Sequence, residues 1–374
     1  MRVAMVIQSF APVLGGAQRQ VEALGPHLGR LGVGASVITR RPPGTPAYES
    51  RPGLSVHRVS AGSGGVASLS YTLRGASRTM RIRPDVIHAH DLLSPSTVAL
   101  LASTVRRVPV IVKILQTGPG GDIDRLARKP LGARRLAAIC ARFDGFICLS
   151  KEIEQELRSL GFPSERLWRI PNGVDADCYR PSEAGERESL RTALGLPLDQ
   201  TVALFAGRLY ASKRVDVLIR AMQRAPGVLV VAGEGPQERR LRRLTEELGL
   251  AKRVDFRGTV EDTAPLYRAA DLYLSASAAE GMSNSVLEAM ATGLPVVATQ
   301  ASGIDDQLGE GAGILLRRTD PALFAETLEK LAGDPGARER VGRAARERAV
   351  RRYSLEAVAE ALAKLYRAVL AVPR

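Results

Sequence analysis

Two glutamates, Glu280 and Glu288, mark the segment of this 374-residue chain that is best suited to chemistry. Small residues around Glu280 predict a loop, and Ser283 or Asn284 can cap a helix that carries Glu288 in its first turns. A carboxylate is tolerated there because the helix dipole favours negative charge, and it can accept hydrogen bonds from both hydroxyls of a ribose. The neighbouring backbone N–H groups can hold an anion. An ordinary capped helix with one solvated acid explains the same residues, and both interpretations stay open.

A second segment, 205–214, places two cations in a loop between a predicted strand and a helix. Arg208 and Lys213 are spaced to clamp the oxygens of a diphosphate, and Gly207 lets the backbone turn closely. The segment lacks the GxxxxGK[ST] pattern of a P-loop, and solvated basic residues are the competing interpretation. Gly15 and Gly16 follow the first predicted strand, where they either let a phosphate approach the backbone or form a tight turn.

The histidine and cysteine patterns predict no metal site. His90 follows a predicted strand, where it can touch a substrate, whereas His88 is expected to face the interior. No third ligand is spaced to join this pair, and the acidic residues at 122 and 124 fit the start of a helix. The three cysteines lack CxxC spacing and are expected to be reduced and mostly buried. The Gly-Glu-Gly segment at 233–235 has Glu238 where a dinucleotide fingerprint needs its third glycine, which argues against an NAD enzyme.

The elements that must position these residues are short β-branched runs alternating with amphipathic helical segments, the pattern of βαβ units and parallel sheets. The helix predicted at 17–31 is typical, with apolar residues at 21, 24 and 28. Ligands of such sheets bind beyond the carboxyl ends of the strands, where the candidate residues stand. Strands are expected at 3–7, 35–39, 54–59, 85–88, 108–115, 145–149, 202–205, 227–232, 254–257, 272–275, 295–298 and 313–315.

The two series of strands predict two doubly wound α/β domains, 1–178 and 179–354, joined through a turn-rich stretch at 171–182. The remaining C-terminal residues are predicted to be helical, with new helices beginning after Asp334 and Ser354. No run of apolar residues is long enough to cross a bilayer, and no signal peptide is evident, so a cytoplasmic protein is expected.

The positive charge is concentrated in the first half of the chain. The 53 Lys+Arg and 39 Asp+Glu residues leave a net charge of +14, and residues 1–178 hold 24 of the basic and 13 of the acidic side chains, a net +11. Such a surface attracts nucleic acid, an anionic membrane or phosphorylated substrates, or it reflects genome composition. Only 4% of the residues are aromatic and no helix-turn-helix motif appears, which argues against nucleic-acid binding.

Taken together, these segments resemble glycosyltransferase family 4, whose members are retaining sugar transferases of the GT-B fold. The resemblance covers nearly the whole chain, and its most specific part is the motif that runs from Glu280 through Glu288 to Thr299. Its other parts are the Gly15-Gly16 loop, the strand end at 85–90, the linker at 170–175, and Gly207-Arg208 with Lys213.

The resemblance implies two Rossmann-like domains that face each other across a cleft, with a final helix at 355–374 packed back on the first domain. It implies that Arg208 and Lys213 hold the donor diphosphate, that Glu288 binds the donor ribose and that Glu280 lies against the donor sugar. We predict a catalytic set of Glu280, Arg208, Lys213 and His90. The predicted donor-binding residues are Gly15, Gly16, Arg208, Lys213, Gly258, Thr259, Val260, Gly281, Met282, Ser283, Asn284, Ser285, Val286 and Glu288.

One departure from the family concerns the strand predicted at 108–115. Many members carry Thr-x-His there, with the histidine near the reacting sugar, whereas this chain continues with Lys113 and Gln116. Lys113, Gln116 or Asp122 is expected to take over polar contacts to the sugar or the acceptor. A strand lysine that reaches out to solvent is the alternative for Lys113.

The function expected from these features is retaining transfer of a sugar from a nucleoside diphosphate, without a metal or other cofactor, to a hydroxyl of a glycan or lipid-linked acceptor. A UDP-sugar is the first choice of donor and a GDP-sugar the second. The basic segment 124–142 suits an amphipathic helix on an anionic membrane, or an ordinary packed helix, which favours a role in cell-envelope or exopolysaccharide synthesis. The alternatives are another GT-B enzyme, such as a nucleotide-sugar epimerase, and a basic nucleic-acid-binding protein.

Overall fold

The computed structural model describes residues 1–13, 15–62, 66–301 and 303–372. The chain divides into two compact units, the first comprising Met1–Gly173 with Leu355–Arg374 and the second Val174–Ser354. The division falls after Gly173, ahead of the boundary expected from the sequence after residue 178.

The first unit contains one sheet in which every pair of neighbours is parallel except β3 and β4. Its strand order is β3-β4-β2-β1-β5-β6-β7-β8. The strands are β1 (Arg2–Val6), β2 (Gly34–Arg40), β3 (Tyr48–Arg51), β4 (Leu54–Val59), β5 (Val86–Ala89), β6 (Val110–Ile114), β7 (Gly145–Cys148) and β8 (Leu167–Arg169). Sequence reasoning missed β3 and β8, because both are short edge strands without a run of buried apolar residues.

Among the described residues, six α-helices lie between these strands. They are α1 (Gly16–Arg30), α2 (Ala67–Ile82), α3 (Ser94–Arg106), α4 (Asp122–Ala127), α5 (Gly132–Arg142) and α6 (Lys151–Ser159). The predicted face of α1 is confirmed, since Val21, Leu24 and Leu28 are all buried. The single basic helix expected over 124–142 is wrong. The segment breaks into α4 and α5 because Pro130 interrupts the helix and Leu131 adopts a left-handed conformation with φ 58°.

The second unit contains a six-stranded parallel sheet of order β11-β10-β9-β12-β13-β14. Its strands are β9 (Val202–Ala206), β10 (Val228–Ala232), β11 (Val254–Gly258), β12 (Leu272–Ser275), β13 (Val296–Thr299) and β14 (Ile314–Leu316). Its helices are α7 (Glu186–Leu194), α8 (Val215–Ala221), α9 (Glu238–Glu247), α10 (Ala264–Ala269), α11 (Asn284–Ala291), α12 (Ile304–Leu308), α13 (Pro321–Gly333) and α14 (Pro335–Tyr353).

Helices cover both faces of the second sheet, as a doubly wound fold requires. Side chains from α10, α11 and α14 join one hydrophobic core with the strands, and side chains from α8, α9 and α13 join the other. Asp334 caps α14 by accepting a hydrogen bond from the backbone N–H of Ala337 at 2.8 Å.

The last helix, α15 (Leu355–Leu370), belongs to the first unit. Its apolar face, including Leu362 and Tyr366, enters the same core as Val21 and Leu28 of α1. Among the described residues, every helix is too short or too polar to span a bilayer. The cysteines are free, but Cys178 is exposed and departs from the expectation of burial.

Each sheet reverses its winding direction at one place, and these places are where α/β sheets bind ligands. In the first unit the reversal lies between the neighbouring strands β1 and β5, and in the second between β9 and β12. The two glycines at 15 and 16 follow β1, and His90 follows β5. Arg208 and Lys213 follow β9, and Glu280 follows β12. Topology therefore gathers the sequence motifs at the two reversal points.

Candidate functional site

The loop after β9 brings its two predicted cations to the carboxyl edge of the second sheet. Gly207 has φ 152°, and its backbone oxygen lies so close to Gly233 that a Cβ at Gly233 would stand 2.0 Å away, so only glycine fits there. Arg208 is exposed, with its guanidinium carbon 5.1 Å from the ring centroid of Tyr210. Lys213 ends a short 3-10 turn just before α8.

Two of the predicted site residues, Lys213 and Glu280, form an ion pair with each other. The Lys213 Nζ donates a hydrogen bond to the Glu280 Oε1, although the residues are 67 positions apart in sequence. Their side chains are 23% and 11% exposed, so the ion pair is largely shielded from solvent. A backbone hydrogen bond of 2.8 Å from Ala278 to the carbonyl of Ser212 ties the two loops together. The fold thus places Lys213, predicted to bind the donor diphosphate, in contact with Glu280, predicted to lie against the donor sugar.

Helix α11 begins where the motif predicts, with Ser283 at its N-cap, but among the described residues the Ser283 side chain does not form the expected capping bond. Its Oγ lies 3.1 Å from the Oγ of Ser285 instead. The apolar face is as predicted, since Leu287, Met290 and Leu294 are buried.

Glu288 is held by a tyrosine that sequence reasoning missed. The hydroxyl of Tyr267 donates a 2.8 Å hydrogen bond to the Glu288 Oε2. Tyr267 is fully buried in α10 and stacks on Tyr273 with a centroid separation of 5.7 Å. Burial, followed by the nearby Glu288 charge, raises the pKa of Tyr267 well above its usual value, so the hydroxyl remains a proton donor. An apolar helix position gives no sequence signal for this role, because a buried tyrosine is usually a packing residue.

Replacing Tyr267 with Phe removes only this hydroxyl and is expected to weaken UDP binding about fivefold, because the Glu288 carboxylate loses a buried hydrogen bond that orients it. Titration calorimetry measures the effect. Tyr366→Phe is the matched control, because Tyr366 is equally buried and its hydroxyl lies 2.8 Å from His88 Nδ1 in the first unit. UDP affinity equal to wild type in the Tyr267 variant would contradict the positioning role.

The predicted donor-binding residues Gly258, Thr259 and Val260 lie at the end of β11. Gly258 ends the strand with φ 62°, and its carbonyl accepts a 2.7 Å hydrogen bond from the backbone of Gly233. Glu234, part of the rejected dinucleotide motif, accepts the backbone N–H of Thr259 at 3.1 Å. Val260 is half-buried against the core. The Gly-Glu-Gly segment therefore shapes this loop, a role that its sequence alone did not indicate.

In the first unit, Gly15 is the N-cap of α1 and Gly16 its first residue, while Leu14 lies outside the described residues. Gln18 secures the preceding loop, because its Nε2 donates to the Ser9 Oγ at 2.8 Å and to the Ser9 carbonyl at 3.2 Å. A Cβ at Gly15 would stand 2.5 Å from the Gln18 Oε1. Gly15 is extended, with φ −157° and ψ 173°, and leads directly into the helix N-terminus, which is compatible with a phosphate approaching there.

His90 is only 5% exposed, and its Nε2 has no hydrogen-bond partner among the described residues. Its ring stacks on His88 at 4.2 Å, and His88 Nδ1 lies 2.8 Å from the Tyr366 hydroxyl. Burial, with a smaller effect of the Lys113 charge, lowers the pKa of His88 to about 3. Burial likewise lowers the pKa of His90 well below its usual value. Both rings are therefore neutral at physiological pH.

Lys113 does not reach out to solvent, so that alternative is wrong. It is 6% exposed, and its Nζ donates a 2.7 Å hydrogen bond to the Asn172 Oδ1 in the stretch that precedes the second unit. Burial lowers the pKa of Lys113 to about 8. The Lys113 amine therefore has a structural partner in the first unit.

Asp122 and Gln116 shape the loop between β6 and α4. Asp122 is buried, and its Oδ2 accepts the backbone N–H of Leu115 at 2.6 Å. Its own N–H donates to the Gln116 carbonyl at 2.9 Å, and the Gln116 residue is half-buried. Burial raises the pKa of Asp122. Among the described residues, no cluster of three or more His, Cys, Asp or Glu side chains suits a metal ion.

Comparisons with known proteins agree with the motifs. The family model for glycosyl transferases group 1 matches residues 186–348, and the model for glycosyltransferase family 4 matches residues 14–177. The D-inositol 3-phosphate glycosyltransferase of Corynebacterium efficiens is 32% identical, over 98% of this chain and 95% of its own length.

Solved structures share the fold. Alr3699/HepE of Anabaena, solved in complex with UDP and glucose, matches with a TM-score of 0.82 and 21% identity, over 98% of this chain and 100% of that one. Sucrose-phosphate synthase from Thermosynechococcus elongatus matches with a TM-score of 0.82 and 23% identity, over 99% of both chains.

Proposed function

Because the chain is a glycosyltransferase of family 4 with the GT-B fold, we propose that it moves a sugar from a UDP-sugar to an acceptor hydroxyl with retention of configuration. The acceptor in this proposal is a glycan or a lipid-linked molecule of cell-envelope or exopolysaccharide synthesis. The enzyme works in the cytoplasm or at the inner face of the membrane, and it uses no metal ion or other cofactor.

The Lys213–Glu280 contact carries this proposal. It places a cation and a carboxylate side by side at the point where β9 and β12 end. A donor bound there has its diphosphate against Lys213 and Arg208, its ribose hydroxyls on Glu288 and its sugar against Glu280. The first turn of α11 adds N–H groups and a dipole that favour the diphosphate.

The chemistry follows from this placement. The bond between the anomeric carbon and the phosphate oxygen breaks, and its electron pair goes to the departing UDP. Positive charge develops on the sugar, and the acceptor oxygen forms its bond on the same face. The acceptor proton passes to the leaving phosphate oxygen. Arg208 and Lys213 stabilise the developing phosphate charge through preorganised electrostatics, so no metal is needed in this scheme. Glu280 positions the sugar and forms no covalent bond.

UDP as the nucleotide is supported by the solved relative of this fold that binds UDP and glucose. A panel of UDP, GDP, ADP and their sugars tests it by thermal shift, because a ligand at 100 times its Kd adds about 2.7 kcal/mol of stability. We expect UDP and a UDP-sugar to raise the melting temperature most. A rise with GDP alone overturns the choice of base, and no rise with any nucleotide overturns the proposed function.

A lipid-linked acceptor is supported by the first unit, which carries most of the net positive charge. Helix α2 also presents an apolar stripe at its start, where Val66, Leu69 and Leu73 are 62%, 60% and 56% exposed. Exposed apolar side chains on a unit with an excess of positive charge suit a lipid carrier on an anionic leaflet.

A polyol phosphate is a second candidate acceptor, favoured by the D-inositol 3-phosphate glycosyltransferases that align with nearly the whole chain. Incubation of the enzyme with a radiolabelled UDP-sugar distinguishes the two acceptors by where the label goes. The label enters an organic lipid extract if the acceptor is lipid-linked, and a water-soluble sugar phosphate if the acceptor is a polyol phosphate. An epimerase would change the sugar nucleotide without any acceptor. NMR of the anomeric centre of the product distinguishes retention of the sugar's configuration from inversion.

A further inference from the structure

The loop that precedes α11 is held by a residue outside the motif. Gln307 of α12 is fully buried, and its side chain makes two reciprocal hydrogen bonds with the backbone of Ser283. Its Oε1 accepts the Ser283 N–H at 3.0 Å, and its Nε2 donates to the Ser283 carbonyl at 2.8 Å. One side chain therefore bonds both backbone groups of the N-cap residue, whose carbonyl also accepts the Leu287 N–H at 3.2 Å.

This bracing matters because the side chain of the N-cap residue does not cap the helix, and the one helical bond of its carbonyl, from the Leu287 N–H, is 3.2 Å long. The side chain of Ser283 contacts Ser285 and, among the described residues, makes no capping bond. The backbone also approaches α12 closely, since a Cβ at Gly303 would stand 1.9 Å from the Gly281 carbonyl oxygen. Gly303 has φ 79°, which glycine adopts without strain. Gly281 and Ser283 are thus both held against α12 or its N-cap glycine.

Helix α12 spans only Ile304–Leu308 and is itself fixed by α14. Arg348 of α14 is 5% exposed, and it donates to the Gln307 carbonyl and to the Asp306 carbonyl, each at 2.9 Å. Its third contact is Glu310, at 2.6 Å. Tyr353 donates a further 2.9 Å bond to the Asp306 carbonyl. A continuous set of hydrogen bonds therefore runs from α14 through α12 to Ser283.

We propose that Gln307, held by Arg348, is a positioning residue that keeps the backbone of residues 281–285 in its donor-binding conformation before the donor arrives. This inference rests on the proposed function, because it takes the N-terminus of α11 as the diphosphate site. Without Gln307 the loop must be ordered when the donor binds, and that cost lowers affinity. Because Gln307 is fully buried, it acts through the Ser283 backbone and not by contacting the donor.

Gln307→Met tests the proposal, because methionine has a similar shape but makes neither hydrogen bond. We expect UDP affinity, measured by calorimetry below the melting temperature, to fall about tenfold, or about 1.4 kcal/mol. Hydrogen exchange should rise in a peptide covering 278–290. Gln307→Glu keeps an acceptor for the Ser283 N–H, but its ionised carboxylate cannot donate to the Ser283 carbonyl. We therefore expect UDP affinity to fall in this variant as well.

Arg253→Met is the matched control. Arg253 also braces backbone carbonyls of the second unit, those of Met222 at 2.8 Å and Gly227 at 3.0 Å, but it does so at the amino ends of the strands. The Arg253→Met variant should have a lower melting temperature than the wild type, with unchanged UDP affinity and unchanged hydrogen exchange in residues 278–290. A double variant with Arg348→Met should show non-additive losses of affinity, because both residues act through α12.

The outcomes separate the two proposals. If the wild type binds no nucleotide and transfers no sugar, the proposed function fails. If the wild type binds UDP and Gln307→Met binds it equally well, the positioning role of Gln307 fails and the function stands. Should the methionine variant not fold, hydrogen exchange of the wild type decides. Fast exchange across 278–290 without UDP overturns preorganisation, and slow exchange supports it.

Discussion

Glu280→Gln is expected to lower turnover about 100-fold while leaving UDP affinity at least as high as in the wild type. Glutamine keeps the size of the side chain but removes the charge that positions the sugar and favours its developing positive charge. A loss of about 100-fold corresponds to about 2.7 kcal/mol of transition-state stabilisation. UDP affinity is preserved because Lys213, which pairs with Glu280 in the structure, becomes available to the diphosphate.

Initial-rate kinetics and UDP calorimetry on the same preparation provide the two measurements. Glu329→Gln is the matched control, since Glu329 is an exposed acid on α13 of the same unit. Unchanged turnover in the Glu280 variant would remove that residue from the catalytic set. A marked loss of UDP affinity would show that the ion pair supports the diphosphate site and does not compete with it.

Lys213→Met is expected to lower turnover by about two to three orders of magnitude and to weaken UDP binding as well. The ammonium group stabilises negative charge on the departing phosphate, and removing one preorganised group of this kind from a shielded site typically costs that much. The effect on kcat should exceed the effect on UDP affinity, because the charge on the leaving oxygen grows as the bond breaks.

The control for this substitution is Lys252→Met, which removes an exposed charge from the same unit outside the site. It should leave both kinetic constants close to those of the wild type. A double variant of Lys213→Met with Glu280→Gln should lose less than the product of the single effects, because the two side chains contact each other. Equal losses of kcat from the Lys252 and Lys213 variants would reduce the Lys213 effect to a change in net charge.

The sequence predicted the strands that carry the site because buried parallel strands are short, continuous apolar runs with their motifs directly behind them. All twelve expected strands exist, including β9 and β12. The sequence failed where local patterns compete with tertiary context. The basic segment 124–142 has helical periodicity throughout, yet it breaks around Pro130. Lysine is usually solvated, but the amine of Lys113 donates a hydrogen bond to Asn172 inside the first unit.

The partners of the motif residues could not be predicted at all. Tyr267, Gln307 and Arg348 lie at ordinary positions of helices, and each gains its role only from the side chain or backbone that folding brings against it. In the sequence Glu234 belongs only to an incomplete dinucleotide motif, yet in the structure it accepts the backbone N–H of Thr259. Such contacts join residues that are far apart in the sequence, so the periodicity of a local segment cannot indicate them.

By itself, the sequence determined which residue types stand behind which strands, and hence the family and the GT-B fold. That information is local, because a strand, a turn and a helix N-terminus are each specified by neighbouring residues. Only the tertiary structure decided that Lys213 pairs with Glu280, that Tyr267 orients Glu288 and that Gln307 braces Ser283. Those contacts depend on strand order and helix packing, which bring distant segments within hydrogen-bonding distance.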